Sequence, residues 1–266
     1  MPIFLRQVTL LCFCLLSGAA MADLEPGKTT VFITGANRGI GLEFVRQMSA
    51  RGWNIIATTR KPDESEALRE LAAVNEQIVI EQLDVTDHAR IDELAEKYKD
   101  QPIDILLSNA GLTPNADTTV FKRLNGLDFD MLLASMEVNA IAPLKLAQAF
   151  MDNVAMSEQK KIIVMTSFGG SFELSPKAPM MYGYRASKAA LNMYMYTLSF
   201  ETPKKGVILT LISPGPVNTS TTPGMTQPNG QEPEESIAKM LVVIDALTPE
   251  NNGQFLAHEN GELLAW

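Results

Sequence analysis

Cysteine and histidine are almost missing from this 266-residue chain, which has two of each. Cys12 and Cys14 both fall within the first 22 residues, so no disulfide can join parts of the sequence beyond them. His88 and His258 stand far apart, and neither sits in a ligand pattern, which argues against a metal site. Runs of basic residues are missing too. The net charge is −9, and an acidic chain without basic clusters argues against nucleic acid or an anionic membrane as partner. The apolar run Val8 to Leu16 is too short to span a bilayer. It reads instead as the core of a secretory signal, with Arg6 before it and the small-x-small site Ala20-Met21-Ala22 after it. Residues 1–22 are therefore expected to direct export, to the periplasm in a bacterium, leaving 23–266 as the mature domain. The alternative is a cytoplasmic protein that starts at Met21.

What is present is a regular alternation of two patterns. Short apolar runs at 30–34, 53–59, 77–83, 103–108, 161–166, 207–212 and 254–257 read as buried strands. Amphipathic stretches at about 39–51, 64–74, 87–99, 129–154, 183–201 and 234–247 read as helices. The alternation predicts one α/β domain, a doubly wound parallel sheet of about seven strands in the middle layer of three. Hydrophobic residues make up 46% of the chain, enough to cover such a sheet on both faces.

Chemistry concentrates first at Tyr184-Arg185-Ala186-Ser187-Lys188. Residues i and i+4 share one helix face. An ammonium there stabilises a phenolate and lowers the tyrosine pKa from about 10 toward neutrality, which makes the phenol a usable acid and base. Of the five tyrosines, only Tyr184 has a lysine at i+4. The second concentration is Thr34-Gly35-Ala36-Asn37-Arg38-Gly39-Ile40-Gly41, between the first strand and the first helix. A glycine turn opening a helix is the front of a dinucleotide site, where backbone amides meet phosphates. The spacing is Gly-x-x-x-Gly-x-Gly rather than Gly-x-Gly-x-x-Gly.

Taken together these motifs resemble the short-chain dehydrogenase/reductase family. Asn109-Ala110-Gly111 after a strand, Val138-Asn139 on a central helix and Pro214-Gly215-Pro216-Val217-Asn218-Thr219 extend the match. Within the family the chain is most similar to the sniffer/C-factor-type carbonyl reductases, through Met165-Thr166-Ser167, the segment 184–192 and the closing Asn260 to Trp266. The resemblance implies a Rossmann-type fold, a small carbonyl substrate, and a homodimer or homotetramer. It makes Tyr184 the acid/base and Lys188 the residue that lowers its pKa and holds the nicotinamide ribose. Ser167 orients the carbonyl. Asn139 holds a water that leads from the lysine to solvent. Ser171 competes with Ser167, because it lies 13 positions before Tyr184, a common family spacing. Ser167 is preferred because Ser-x-x-Gly straight after the strand fits Ser167 to Gly170.

The same resemblance assigns the cofactor contacts. Gly35, Asn37, Arg38, Gly39, Ile40 and Gly41 form the phosphate turn, and Asp84 with Val85 lies against adenine. Asn109, Ala110 and Gly111 support the centre. Pro214, Gly215, Val217 and Thr219 meet the nicotinamide. The second strand ends Ala57-Thr58-Thr59-Arg60 without an acid to bind ribose hydroxyls, and Arg60 with Arg38 can fork onto a 2′-phosphate. NADP(H) is therefore expected over NAD(H). Residues 219–234, rich in proline and without periodicity, read as a substrate lid. The competing function is a signalling or sensor protein that binds the cofactor with little turnover.

Overall fold

A computed structural model of the protein describes residues 24–112, 123–219 and 229–266. The expected signal, 1–22, lies outside the described residues, as does most of the expected lid. Seven parallel strands form one sheet in the order β3-β2-β1-β4-β5-β6-β7. They are β1 (Thr30–Ile33), β2 (Asn54–Thr59), β3 (Ile78–Gln82), β4 (Ile105–Ser108), β5 (Lys161–Met165), β6 (Ile208–Ser213) and β7 (Phe255–Ala257). The helices are α1 (Gly39–Ala50), α2 (Glu66–Ala73), α3 (His88–Lys97), α4 (Phe129–Met136), α5 (Ala142–Ala155), α6 (Tyr182–Leu198) and α7 (Pro233–Asp245).

Side chains of one strand alternate between the two faces, and both faces are covered. Phe32, Ile56, Leu106, Ile162 and Leu209 pack against Ile91 and Leu94 of α3, Phe150 of α5 and Leu191 of α6. Val31, Ile33, Ile55, Ile105 and Ile163 pack against Phe44 and Met48 of α1 and Ile237 and Met240 of α7. Double burial explains why the strands read as continuous apolar runs rather than alternating ones. The rings of Phe32 and Phe150 lie 4.5 Å apart, centroid to centroid, at the middle of the first layer. β1 pairs with β2 on one side and β4 on the other, so the chain changes direction there and leaves a crevice at the carboxyl ends of the central strands.

The helix expected over 129–154 is two helices joined by a π-turn, Glu137–Ile141, in which the Ala142 amide donates to the Glu137 carbonyl. Pro143 is the local cause. Its nitrogen carries no hydrogen, so the carbonyl four residues back, that of Asn139, loses its α-helical donor, and the ring crowds that carbonyl. The helix widens by one residue where Asn139 sits.

Candidate active site

The crevice is a cleft of about 520 Å³ over the carboxyl ends of β1, β2, β4 and β5. Gly35 and Gly41 shape its floor. Gly35 has φ +67°, a left-handed turn that returns the chain from β1 to α1. A side chain on Gly41 would fall on the Gly35 carbonyl oxygen and lie 2.6 Å from Asn109 Nδ2, so only glycine lets α1 begin this close to the sheet. The first turn of α1 has no side-chain cap, and Asn37, Arg38, Gly39, Ile40 and Gly41 around it line the cleft. Asn109 braces the turn from β4: Nδ2 donates to the carbonyls of Thr34 (2.9 Å) and Gly35 (3.1 Å).

One end of the cleft is cationic. Arg38 and Arg60 line it, both exposed. Sequence reasoning missed Lys61, Glu64 and Ser65, which line the same end. Lys61 Nζ is tied to Glu64 at 2.8 Å, and Ser65 Oγ donates to the Lys61 carbonyl at 2.7 Å. The signal available was the second cation directly after Arg60. Asp84 and Val85 line the cleft just past β3, and the Asp84 carboxylate accepts from the Thr86 amide and hydroxyl at 3.0 and 2.8 Å.

The other end holds Tyr184 and Lys188, one turn apart on α6, with Ala110, Gly111, Pro214 and Thr219 nearby in the lining. Ser167, two residues past the end of β5, lies beside Tyr184, and its Oγ accepts from the Gly169 amide at 3.0 Å. Ser171 is buried and spent on its own loop, accepting from the amides of Glu173 and Leu174 at 3.1 and 2.9 Å. Gly170 lets the turn after Ser167 rest on α6, since a Cβ there would meet the Lys188 carbonyl carbon at 2.7 Å. Gly215 and Val217 stand behind the cleft wall. Gly215 turns over the His258 ring with φ +65°, and Val217 is buried and bridges to Gln231, which ties the two ends of the expected lid together.

One expectation changes at this end. Lys188 does not dominate the titration of Tyr184: burial pushes the phenol above its usual value, opposed by the neighbouring Ser167 hydroxyl. Burial also lowers Lys188 to about 8. Its Nζ donates to the Met165 carbonyl at 2.8 Å and lies 6.0 Å from the Tyr184 ring centroid. The Asn139 side chain is fully paired, while its carbonyl is the one that Pro143 leaves without an α-helical donor. Its Oδ1 accepts from the Leu112 amide at 2.7 Å, and its Nδ2 donates to the Leu112 carbonyl and Ser187 Oγ, both at 3.0 Å. Both amide hydrogens are committed, so the side chain acts as a clamp.

Residues 29–230 match the family described as short chain dehydrogenase. The chain belongs to this family. An uncharacterised oxidoreductase of Schizosaccharomyces pombe is 32% identical to this short-chain dehydrogenase over 246 residues, 86% of this chain and 94% of that protein. The NADPH-bound carbonyl reductase from chicken fatty liver superposes with a TM-score of 0.80 at 31% identity, over 90% of this chain and 99% of that one. The carbonyl reductase Sniffer of Drosophila melanogaster gives 0.80 at 26% identity, over 90% and 100%. As a short-chain dehydrogenase the protein is an oxidoreductase of small molecules. Among the described residues no group of His, Cys, Asp or Glu could hold a metal ion.

Proposed function

We propose that the protein is an NADP(H)-dependent carbonyl reductase, interconverting a carbonyl and an alcohol. The observation that carries this reading is that Tyr184 and Lys188 line one end of a cleft whose other end presents Arg38 and Arg60, with Ser167 beside Tyr184 just outside the lining. The cleft fits a dinucleotide: uncapped amides at the start of α1, a glycine floor that a Cβ would fill, and two arginines with no acid at the end of β2. Gly35 to Gly41 would hold the phosphates, Arg38 and Arg60 a 2′-phosphate, and Asp84 and Val85 the adenine. Asn109 to Gly111, Lys188, Pro214 and Thr219 would hold the nicotinamide half. The NADPH bound to the chicken reductase supports the phosphate choice; NAD(H) fits less well.

When bound, the nicotinamide supplies or accepts the hydride. Ser167 holds the substrate oxygen beside the phenol. Tyr184 donates its proton to that oxygen in reduction and takes it back in oxidation. Lys188, an ammonium below about pH 8, stabilises the phenolate left on Tyr184. The neighbouring Ser167, Tyr184 and Lys188, all three retained, argue for turnover over a sensor.

The test is a rate screen of purified protein with NADPH and NADH against aldehydes, ketones and quinones, with Tyr184→Phe alongside. The expected outcome is NADPH-preferring reduction that falls on the order of 100-fold or more in Tyr184→Phe, with NADPH binding by fluorescence titration unchanged. Retention of most of the rate by the variant overturns the role of Tyr184; absence of turnover with every class overturns the reductase.

A further inference from the structure

We infer that Ser187 is a positioning residue of the active site: it locks the π-turn asparagine to the helical turn that carries Tyr184 and Lys188. Ser187 is fully buried, and Asn139 is 1% exposed. The Ser187 hydroxyl donates to the Tyr184 carbonyl at 2.8 Å. With its only hydrogen spent there, Oγ can do nothing toward Asn139 except accept. That forces Nδ2, not Oδ1, to face α6, and the Asn139 amide donates to Ser187 Oγ at 3.0 Å.

The orientation decides what happens on the far side of Asn139. With Nδ2 turned to Ser187, Oδ1 faces the Leu112 amide and accepts from it at 2.7 Å, while the second Nδ2 hydrogen reaches the Leu112 carbonyl at 3.0 Å. A flipped amide would set a donor against the Leu112 N–H and an acceptor against its carbonyl, two wrong pairings in a buried place. Leu112 lines the cleft. Three separate segments therefore meet through one hydroxyl: the turn of α6 bearing the proposed acid, the π-turn, and the loop after β4. The widened helix at Glu137–Ile141 is what brings Asn139 between the other two. A serine at this position is otherwise a modest choice inside a helix, where it competes with the backbone. Here that back-bond to the Tyr184 carbonyl is what sets the direction of the whole chain of hydrogen bonds.

The inference rests on the reading of Tyr184 as the acid, and one arm of its test does not. Ser187→Ala leaves an Asn139 hydrogen without a partner and frees the amide to rotate. The expected result is a fall of at least 10-fold in kcat, with the KM for NADPH within threefold of the parent. Hydrogen exchange of the Leu112 amide is expected to rise at least 10-fold, while exchange in the central strands stays as it was. Ser187→Thr keeps a hydroxyl that can bond the carbonyl one turn back, and is expected to restore slow exchange at Leu112 and most of kcat. Unchanged exchange at Leu112 in Ser187→Ala overturns the inference whatever the activity. So does a kcat within twofold of the parent while Tyr184→Phe is inactive. If Tyr184→Phe is itself active, the reductase mechanism fails and the exchange result alone decides the role of Ser187.

Discussion

Lys188 stands buried with, among the described residues, only the Met165 carbonyl as its hydrogen-bond acceptor, and burial lowers it from 10.5 to about 8. The sign of its contribution to stability follows. The folded pKa is below the unfolded one, so the folded protein resists taking up the proton. The resulting penalty is complete below pH 8 and fades as pH rises toward 10.5. The shift corresponds to roughly 3 kcal/mol at neutral pH, against which the bond to Met165 returns about 1 kcal/mol. Lys188→Met is therefore expected to inactivate the enzyme and yet to stabilise it by about 1–3 kcal/mol at pH 7. Urea denaturation at pH 7 and at pH 10 measures this. A gain equal at both pH values, or a loss at pH 7, removes the burial argument. The Tyr184–Lys188 pair was legible in the sequence because i and i+4 on a helix is local geometry. Its electrostatics were not, because a lysine's charge can be read from sequence and its desolvation cannot. Ser187 lay within the same motif, but its partner Asn139 is 48 residues away, and no local pattern records that pairing.

At the scale of elements, the turn between β5 and α6 shows how a short motif acts at a distance. Ser-x-x-Gly reads as a catalytic serine followed by a loop. The structure gives the glycine its reason. A Cβ on Gly170 would stand 2.7 Å from the Lys188 carbonyl carbon, 2.8 Å from its oxygen and 2.9 Å from the Ala189 nitrogen. These are backbone atoms and cannot swing aside. Gly170→Ala must therefore push the Ser167 turn off α6, separating Ser167 from Tyr184. The expected cost is about 1–3 kcal/mol of stability, with kcat falling more than the melting temperature alone would suggest. Thermal melts and steady-state rates check it; a parent-like kcat shows that the turn can rise without disturbing the pair. Strands were the easiest elements to read, since β1, β2, β4, β5 and β6 are buried along their whole length and are mostly apolar. The π-turn was hidden, because the apolar period of 129–154 passes through it. Pro143 was the readable signal, marking an Asn139 carbonyl without its α-helical donor.

At the scale of the molecule, the two ends of the cleft belong to opposite halves of the sheet. Arg60 follows β2, on one side of the β1–β4 boundary, and Tyr184 follows β5 on the other. A dinucleotide spanning the cleft must hold both halves, so its binding energy is also folding stability. At a concentration near 100 times Kd the gain is about 2.7 kcal/mol. For a domain of this size that is expected to raise the melting temperature by roughly 5–11 °C. NADPH should produce this shift at a lower concentration than NADH, because Arg38 and Arg60 can meet a phosphate that NADH lacks. Arg60→Asp sharpens the test. It removes one fork and places a like charge beside the 2′-phosphate, so the variant should lose most of the NADPH shift. The NADH shift should persist or grow, since the new carboxylate can accept from ribose hydroxyls. Melting curves against a series of each cofactor read both effects without any substrate. Equal loss of both shifts would mean that Arg60 supports the fold of the β2 end rather than reading the phosphate. No change in either would place the phosphate elsewhere, with Arg38 and Lys61 as the remaining cations at that end of the cleft.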